Sequence, residues 1–175
     1  MTMRQFYDWQ TAGGGGDVSL LVETLERREI PWCMIGGLAV NHWAEEPMAT
    51  ADVDVVIALE RVDEAVSALS EAGFTAHRFE WPVNLKGRSK VSVQISTEDF
   101  YRDFSARSVA ADIHGILMRV ASREDTLRGK LKAYADTQRR PSKRQKDLLD
   151  IARMVEAHPA LQDHLSADVL EKLKV

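Results

Sequence analysis

Apolar positions fall along the chain in short blocks whose spacing alternates between the helical and the strand period. Behind Asp17, which reads as an N-cap, Leu20, Leu21, Val22, Leu25 and Ile30 recur at helical spacing until Pro31, so a helix is predicted over 17–30. Residues 32–35 form a short buried strand, Gly36 and Gly37 turn the chain, and Leu38, Ala39, Val40, His42, Trp43 and Ala44 suit a short helix stopped by Pro47. A second strand is predicted over 51–59, then a helix over 62–72 closed by Gly73. Strands are expected over 74–81 and 89–95 with a polar turn over 84–88; 98–108 suits a helix and 116–120 a last strand. Ser122 with Asp125 three residues on resembles a capping box opening a helix to about residue 136. Pro141 then breaks the chain, and 143–157 makes the next helix, with Leu148, Ile151, Ala152 and Val155 on one face.

This order predicts an α+β fold, a small mixed sheet flanked by helices that leads into a helical C-terminal region. Residues 17–121 form the expected core and 122–175 a helical subdomain. Residues 1–16 read as a loose arm, because the run Gly13 to Gly16 disfavours either regular element.

Composition narrows the class. A chain of 175 residues, 45% hydrophobic and 29% charged, fits one compact domain able to bury a core. The longest apolar stretch, residues 53–59, contains Asp54, and the start MTMRQFYDWQ has no apolar signal region. A chain that neither spans a membrane nor is conventionally secreted is expected. Cys33 is the only cysteine, which excludes an internal disulfide and fits a reducing cytoplasm; it reads as core. The histidines show no metal spacing, no Ser-His-Asp arrangement or Walker loop is visible, and Trp9, Trp32, Trp43 and Trp81 read as packing rather than as a base-stacking platform.

The net charge of -4 hides a basic segment: residues 119–146 hold ten basic residues against Glu124, Asp125 and Asp136. Lys143 and Arg144 precede Asp147 by four and three residues, and Lys146 precedes Asp150 by four, so ordinary helix ion pairs account for part of the pattern. Lys130 lies at the edge of the stripe Leu127, Leu131, Tyr134, where a charge ordinarily snorkels to solvent. Arg139, Arg140, Lys143 and Arg144 around Pro141 are less easily paired and form a candidate landing site for a polyanion such as tRNA.

The chemistry concentrates in Ile35-Gly36-Gly37 and, fifteen residues after Gly37, Asp52-Val53-Asp54. Residues two apart on a strand share a face, so Asp52 and Asp54 present two carboxylates side by side while Val53 and Val55 enter the core. Adjacent carboxylates repel unless a cation or basic partner intervenes, and Mg²⁺ suits carboxylate plus phosphate oxygens. Glycines at a helix mouth let backbone amides approach a phosphate. Either part alone is commonplace, a tight turn or a solvated strand end; the combination is specific for a nucleoside triphosphate and its metal.

The segment IGGLAVNHWAEEPMATADVDVVI resembles the signature of the DNA polymerase β-like nucleotidyltransferases. GKLKAYADTQRRPSKRQKDLLDIARMVE is similar to the Lys-containing helix and the Lys-Asp-x-x-Asp helix of small bacterial members, including abortive-infection type IV toxin-antitoxin nucleotidyltransferases. The resemblance spans about residues 17–160. It implies that Asp52 and Asp54 ligate Mg²⁺, that Gly36, Gly37 and Thr50 serve the nucleotide, that Lys130 approaches it, and that the Asp147 helix closes the cleft. In two places the chain departs from the family. Met48 stands where many relatives have an arginine, and Gln94 stands on the strand that usually carries a third carboxylate, leaving Glu98 or Asp99 just beyond it; Glu98 is the favoured catalytic base. The implied function is Mg²⁺-dependent transfer of a nucleoside monophosphate from an NTP to a hydroxyl acceptor, an RNA such as tRNA or a protein, with a toxin role and an antitoxin partner. The alternatives are a small-molecule (antibiotic) nucleotidyltransferase, which the basic segment disfavours for aminoglycosides, or a catalytically degenerate nucleotide- or RNA-binding protein.

Overall fold

Seven strands lie side by side: β1 (Trp32–Ile35), β2 (Asp52–Ile57), β3 (Thr75–Arg78), β4 (Val83–Lys86), β5 (Ser92–Ser96), β6 (Val109–Ile113) and β7 (Ile116–Val120). The computed structural model describes residue 8 and residues 13–50, 52–78, 83–113 and 115–173. Most of the expected arm, the ends of two expected strands at Ala51 and 79–81, and Trp9, Trp81 and His114 lie outside the described residues. The sheet order is β3-β4-β5-β2-β1-β7-β6. β2 is parallel to β5 and antiparallel to β1, β1 is parallel to β7, and the remaining pairs are antiparallel, so the expected mixed α+β sheet is present.

The two faces of the sheet do different work. On one, Trp32, Met34, Val53, Val55, Val93 and Ile95 pack under α1 (Gly15–Arg27) and α3 (Val62–Glu71) through Leu21, Leu25, Val66 and Leu69. Burying each such side chain contributes about 1.5–3 kcal/mol. On the other, Cys33, Ile35 and Val56 meet Tyr101, Phe104 and Ala121. Burial of Cys33 pushes its thiol up to about 12, as expected of a core cysteine. The C-terminal helices α4 (Arg123–Ala135), α5 (Pro141–Ala157) and α6 (Ala167–Leu173) follow. Leu127, Ile151 and Met154 of α4 and α5 pack on Val40 of α2 (Gly36–Trp43) and on Ala44. Trp32 and Trp43 are packing residues, with indole N–H groups donating to Glu26 (2.7 Å) and to the Ala121 carbonyl (3.0 Å). No helix among the described residues is long and apolar enough to cross a membrane.

Several elements differ from expectation. α1 starts at Gly15, with Gly14 at the N-cap position, so two of the four glycines are helical. Asp17 is not the cap: its carboxylate accepts from the N–H groups of Arg88 (3.2 Å) and Ser89 (2.8 Å) and from the Ser89 hydroxyl, and it fills the space a side chain at Gly87 would need. β4 occupies the first half of the expected polar turn, because Val83 and Leu85 alternate inward while Asn84 and Lys86 face away. β6 was not foreseen; its Ala-Ala-Asp centre has weak strand propensity and is held by pairing with β7. Residues 98–108 form a 3₁₀ turn, Asp99–Tyr101, and further turns rather than an α-helix. β2 ends at Ile57, and Leu59 begins another 3₁₀ turn. Pro141 opens α5 rather than only breaking the chain, as suits a residue whose missing N–H is not needed there. Ser122 does cap α4, accepting from the Asp125 N–H at 3.1 Å, but the Asp125 carboxylate turns to Arg107 and Arg128.

Candidate active site

The floor of the site is set where β1 hands over to α2. Gly36 has φ +68°, and a Cβ there would stand 2.2 Å from Asp54 Oδ2, so backbone and carboxylate touch only because the residue is glycine. Gly37 is less tightly packed: a Cβ would lie 3.2 Å from Thr50 Oγ1, and that hydroxyl donates to the Asp52 carbonyl at 3.3 Å. The loop between α2 and β2 is pinned by Asn41, which donates to the Met48 carbonyl (2.6 Å) and accepts from the Met48 N–H (3.0 Å). Arg153 of α5 donates to Asn41 Oδ1 (2.9 Å) and to the Glu46 carbonyl (2.5 Å), so a guanidinium reaches this loop from outside it while the Met48 side chain is 37% exposed.

On β2 the period of two places Asp52 and Asp54 on the cleft face and buries Val53 and Val55. Desolvation on the cleft floor pushes the Asp54 carboxyl up to about 6, with Lys130 and Arg139 pulling it down and the Asp52 charge pushing it up. The row across the sheet reads Ile35, Asp54, Gln94, Asn84, so amides rather than a carboxylate flank Asp54 on the β5 side. Glu98 lines the same cleft as Asp52 and Asp54 and pairs with Lys132 at 2.5 Å, whereas Asp99 pairs with Arg102 away from it. No cluster of three or more metal-ligating side chains exists among the described residues. Two carboxylates on one strand face still match Mg²⁺, which takes one or two carboxylates and completes its shell with phosphate oxygens and water.

The opposite wall comes from α4 and α5. Lys130 does not snorkel: it is buried, with its ammonium 3.2 Å from Asp147 and 2.7 Å from Asp150. Arg139 adds a 2.7 Å bond to Asp147, and Arg153 one of 2.9 Å to Asp150. The ion pairs expected within α5 are therefore replaced by inward ones. Lys143 instead crosses the cleft to Asp52 at 3.5 Å, and Arg144 donates to the Tyr134 carbonyl at 2.9 Å and lies over the Tyr134 ring. The expected basic cluster is split: Arg139 and Lys143 line the cleft, Arg140 is exposed at the head of α5, and Arg144 faces Tyr134. The cleft has a volume of about 690 Å³, the size of a small-ligand site.

Residues 20–174 match the family described as nucleotidyl transferase AbiEii toxin, type IV TA system. The chain belongs to this family. None of the curated protein sequences compared with the AbiEii chain matches it. Solved structures similar to it include an antigenic nucleotidyltransferase-like protein from Paracoccidioides brasiliensis, 21% identical with TM-score 0.60 over 91% of each chain. A nucleotidyltransferase from H. pylori is 16% identical, with TM-score 0.61 over 93% of this chain and 74% of that one. A lincomycin-bound lincosamide antibiotic adenylyltransferase is 12% identical, with TM-score 0.56 over 79% of this chain and 96% of that one. At such identities these likenesses establish the shared nucleotidyltransferase fold.

Sequence reasoning about this AbiEii nucleotidyltransferase missed Tyr101 and Phe104, which line the cleft beside Glu98. Burial, with the Glu98 and Asp54 charges adding to it, pushes the Tyr101 phenol up to about 12. The signal was present in the aromatic spacing Phe100-Tyr101-x-x-Phe104 directly after β5, but a helical reading of 98–108 gave it no direction.

Proposed function

We propose that this AbiEii-family chain transfers a nucleoside monophosphate from an NTP to a hydroxyl acceptor, with Mg²⁺ held by Asp52 and Asp54. The observation that carries this is the meeting of the two carboxylates with Gly36 and Gly37 at the head of α2, opposite a wall bearing Lys130, Arg139 and Lys143. When bound, Mg²⁺ supplies charge neutralisation and orientation to the phosphates. Gly36 and Gly37 lay backbone against the triphosphate, with the helix N-terminus adding partial positive charge. Thr50 braces the backbone of Asp52. Lys130 fixes Asp147 and Asp150, which sets α5 over the cleft between the core (17–121) and the helical region (122–175). Arg139 and Lys143 face the triphosphate from inside, while Arg140 and Arg144 meet a polyanionic acceptor from outside.

The acceptor oxygen attacks the α-phosphorus, the bond to the bridging oxygen breaks, pyrophosphate leaves, and Glu98 takes the acceptor proton. Gln94 beside Asp54 orients by hydrogen bonding and moves no proton. RNA such as tRNA, or a protein, fits as acceptor, and the family's toxin-antitoxin character gives the chain a cytoplasmic toxin role with an antitoxin partner. A second reading, a nucleotide- or RNA-binding protein without turnover, is favoured by the amide row that flanks Asp54. The cationic wall disfavours an aminoglycoside acceptor.

The test is incubation with each α-³²P-labelled ribonucleoside triphosphate, Mg²⁺ and total tRNA, alongside Asp52→Ala and Asp54→Ala variants and a lane without RNA. Label on RNA or protein with the wild type alone supports transfer. Equal labelling by both variants removes the assignment, and Mg²⁺-dependent nucleotide binding without label selects the second reading.

A further inference from the structure

Tyr101 closes one side of the cleft and presents a single chemical group to it. Its N–H donates to the Glu98 carbonyl at 3.0 Å, so the two residues bracket one 3₁₀ turn at the end of β5. Its ring is locked edge-to-face against Phe100 (4.9 Å, 88°) and Phe104 (5.1 Å, 85°). Lys132, paired with Glu98, stands 5.6 Å from the ring centre. Gly129 of α4 closes a further side, since a Cβ there would lie 3.7 Å from the ring. With the ring so enclosed, base stacking is not its role. The phenol shares the cleft with Asp54, Arg139 and Asp147 and has no hydrogen-bond partner among the described residues.

The surroundings say what this phenol meets. It is a donor that stays protonated across the working range, set among the acceptor-only carboxylates Asp54, Glu98 and Asp147. A bare phosphate oxygen accepts from the phenol but has nothing to donate to the carboxylates, and Lys132 and Lys130, which would otherwise draw it, are committed to Glu98 and to Asp147 and Asp150. A hydroxyl satisfies both sides, accepting from the phenol and donating to a carboxylate. On a nucleotide whose phosphates lie at Asp52 and Asp54, the next group along is the sugar. Tyr101, Phe104 and Thr126 form a buried part of the cleft (9%, 1% and 3% exposed), whereas its charged side chains Asp52, Glu98, Lys132, Arg139 and Lys143 are 37–54% exposed. The buried part of the cleft suits a mononucleotide's sugar.

We infer that Tyr101 is a specificity residue that donates to a ribose hydroxyl of the bound nucleotide and makes the site select ribo- over deoxyribonucleoside triphosphates. This rests on the nucleotide-binding part of the function proposed above. A site built to hydrogen-bond a substrate hydroxyl discriminates against the analogue lacking it, because its own polar group is left unpaired.

The test is calorimetric titration of wild type and Tyr101→Phe, in Mg²⁺, with the four ribonucleoside triphosphates and their 2′-deoxy and 3′-deoxy counterparts. Wild type should bind its preferred ribonucleotide at least about tenfold tighter than one deoxy form. Tyr101→Phe should keep its Tm, lose affinity for the ribonucleotide and erase that preference. Phe100→Leu, which disturbs the ring packing without reaching the cleft, should lower Tm and leave the preference intact. An unchanged ribo-to-deoxy ratio in Tyr101→Phe, or none in the wild type, overturns the inference while nucleotide binding and label transfer still support the parent reading. Absence of binding for any triphosphate overturns both.

Discussion

Replacing Gly36 by alanine puts the geometry of the floor to a quantitative test. The new Cβ would fall 2.2 Å from Asp54 Oδ2 and 2.9 Å from its Cγ. The residue must also hold φ at +68°. Holding an L-residue in the left-handed region costs about 1–2 kcal/mol. Relieving the overlap pushes the Asp54 side chain off its rotamer, about 1 kcal/mol more. The sum, about 2–3 kcal/mol, corresponds to a Tm lower by about 5–10 °C for a chain of this size. A reacting group displaced by about 1 Å costs on the order of a hundredfold in rate. Gly37→Ala is the internal comparison: its Cβ would meet a rotatable hydroxyl at 3.2 Å with no positive φ, and should cost under about 1 kcal/mol. Thermal unfolding and Mg²⁺-dependent nucleotide titration on both variants supply the numbers. Equal stability of the two alanine variants, or wild-type nucleotide affinity in Gly36→Ala, would refute the contact between Gly36 and Asp54 as the determinant of the site.

Two further expectations concern buried charges. Lys130→Met leaves Asp147 and Asp150, 1% exposed each, with one arginine apiece. Urea unfolding should show a loss of about 3 kcal/mol, and adding Asp147→Asn and Asp150→Asn should recover most of it; an unchanged midpoint for the single variant contradicts the buried network. Asp17→Ala should cost about 2–3 kcal/mol by removing an acceptor from three donors. Burial acts to raise the Asp17 carboxyl, but the Ser89 hydroxyl and N–H and the Arg88 N–H outweigh it and hold the group below its ordinary value. Its contribution is therefore complete above the unfolded value near about 4 and disappears as pH falls through the lower folded one. Wild type and Asp17→Ala should accordingly converge in stability only at strongly acid pH, and a constant gap down to pH 2 counts against the assignment.

What was legible in the sequence is what is local. The carboxylates Asp52 and Asp54 follow from a strand period of two, and Gly36 from a turn at which a side chain would collide with Asp54. Partnerships across the chain were not legible: Lys143 lies 91 residues from Asp52, and Lys130 takes its partners from the next helix, so a reading of neighbours within α5 assigned Asp147 and Asp150 to the wrong cations. β6 was hidden because Ala110, Ala111 and Asp112 form a strand only beside β7. Tyr101 was hidden because a 3₁₀ turn and a helix share their composition but point side chains differently.

The short helix α2 belongs to both halves of the molecule. Its first two residues are the glycines of the floor, and Val40, one turn on, is wedged with Leu127, Ile151 and Met154 under the C-terminal helices. Floor and roof are thus joined through one short helix. At the rim of the cleft stand the Lys143 to Asp52 and Lys132 to Glu98 pairs, which a nucleotide bound as proposed would have to part. A truncation that removes α4 and α5 would for the same reason strip Val40 of its packing and loosen the helix that carries Gly36 and Gly37.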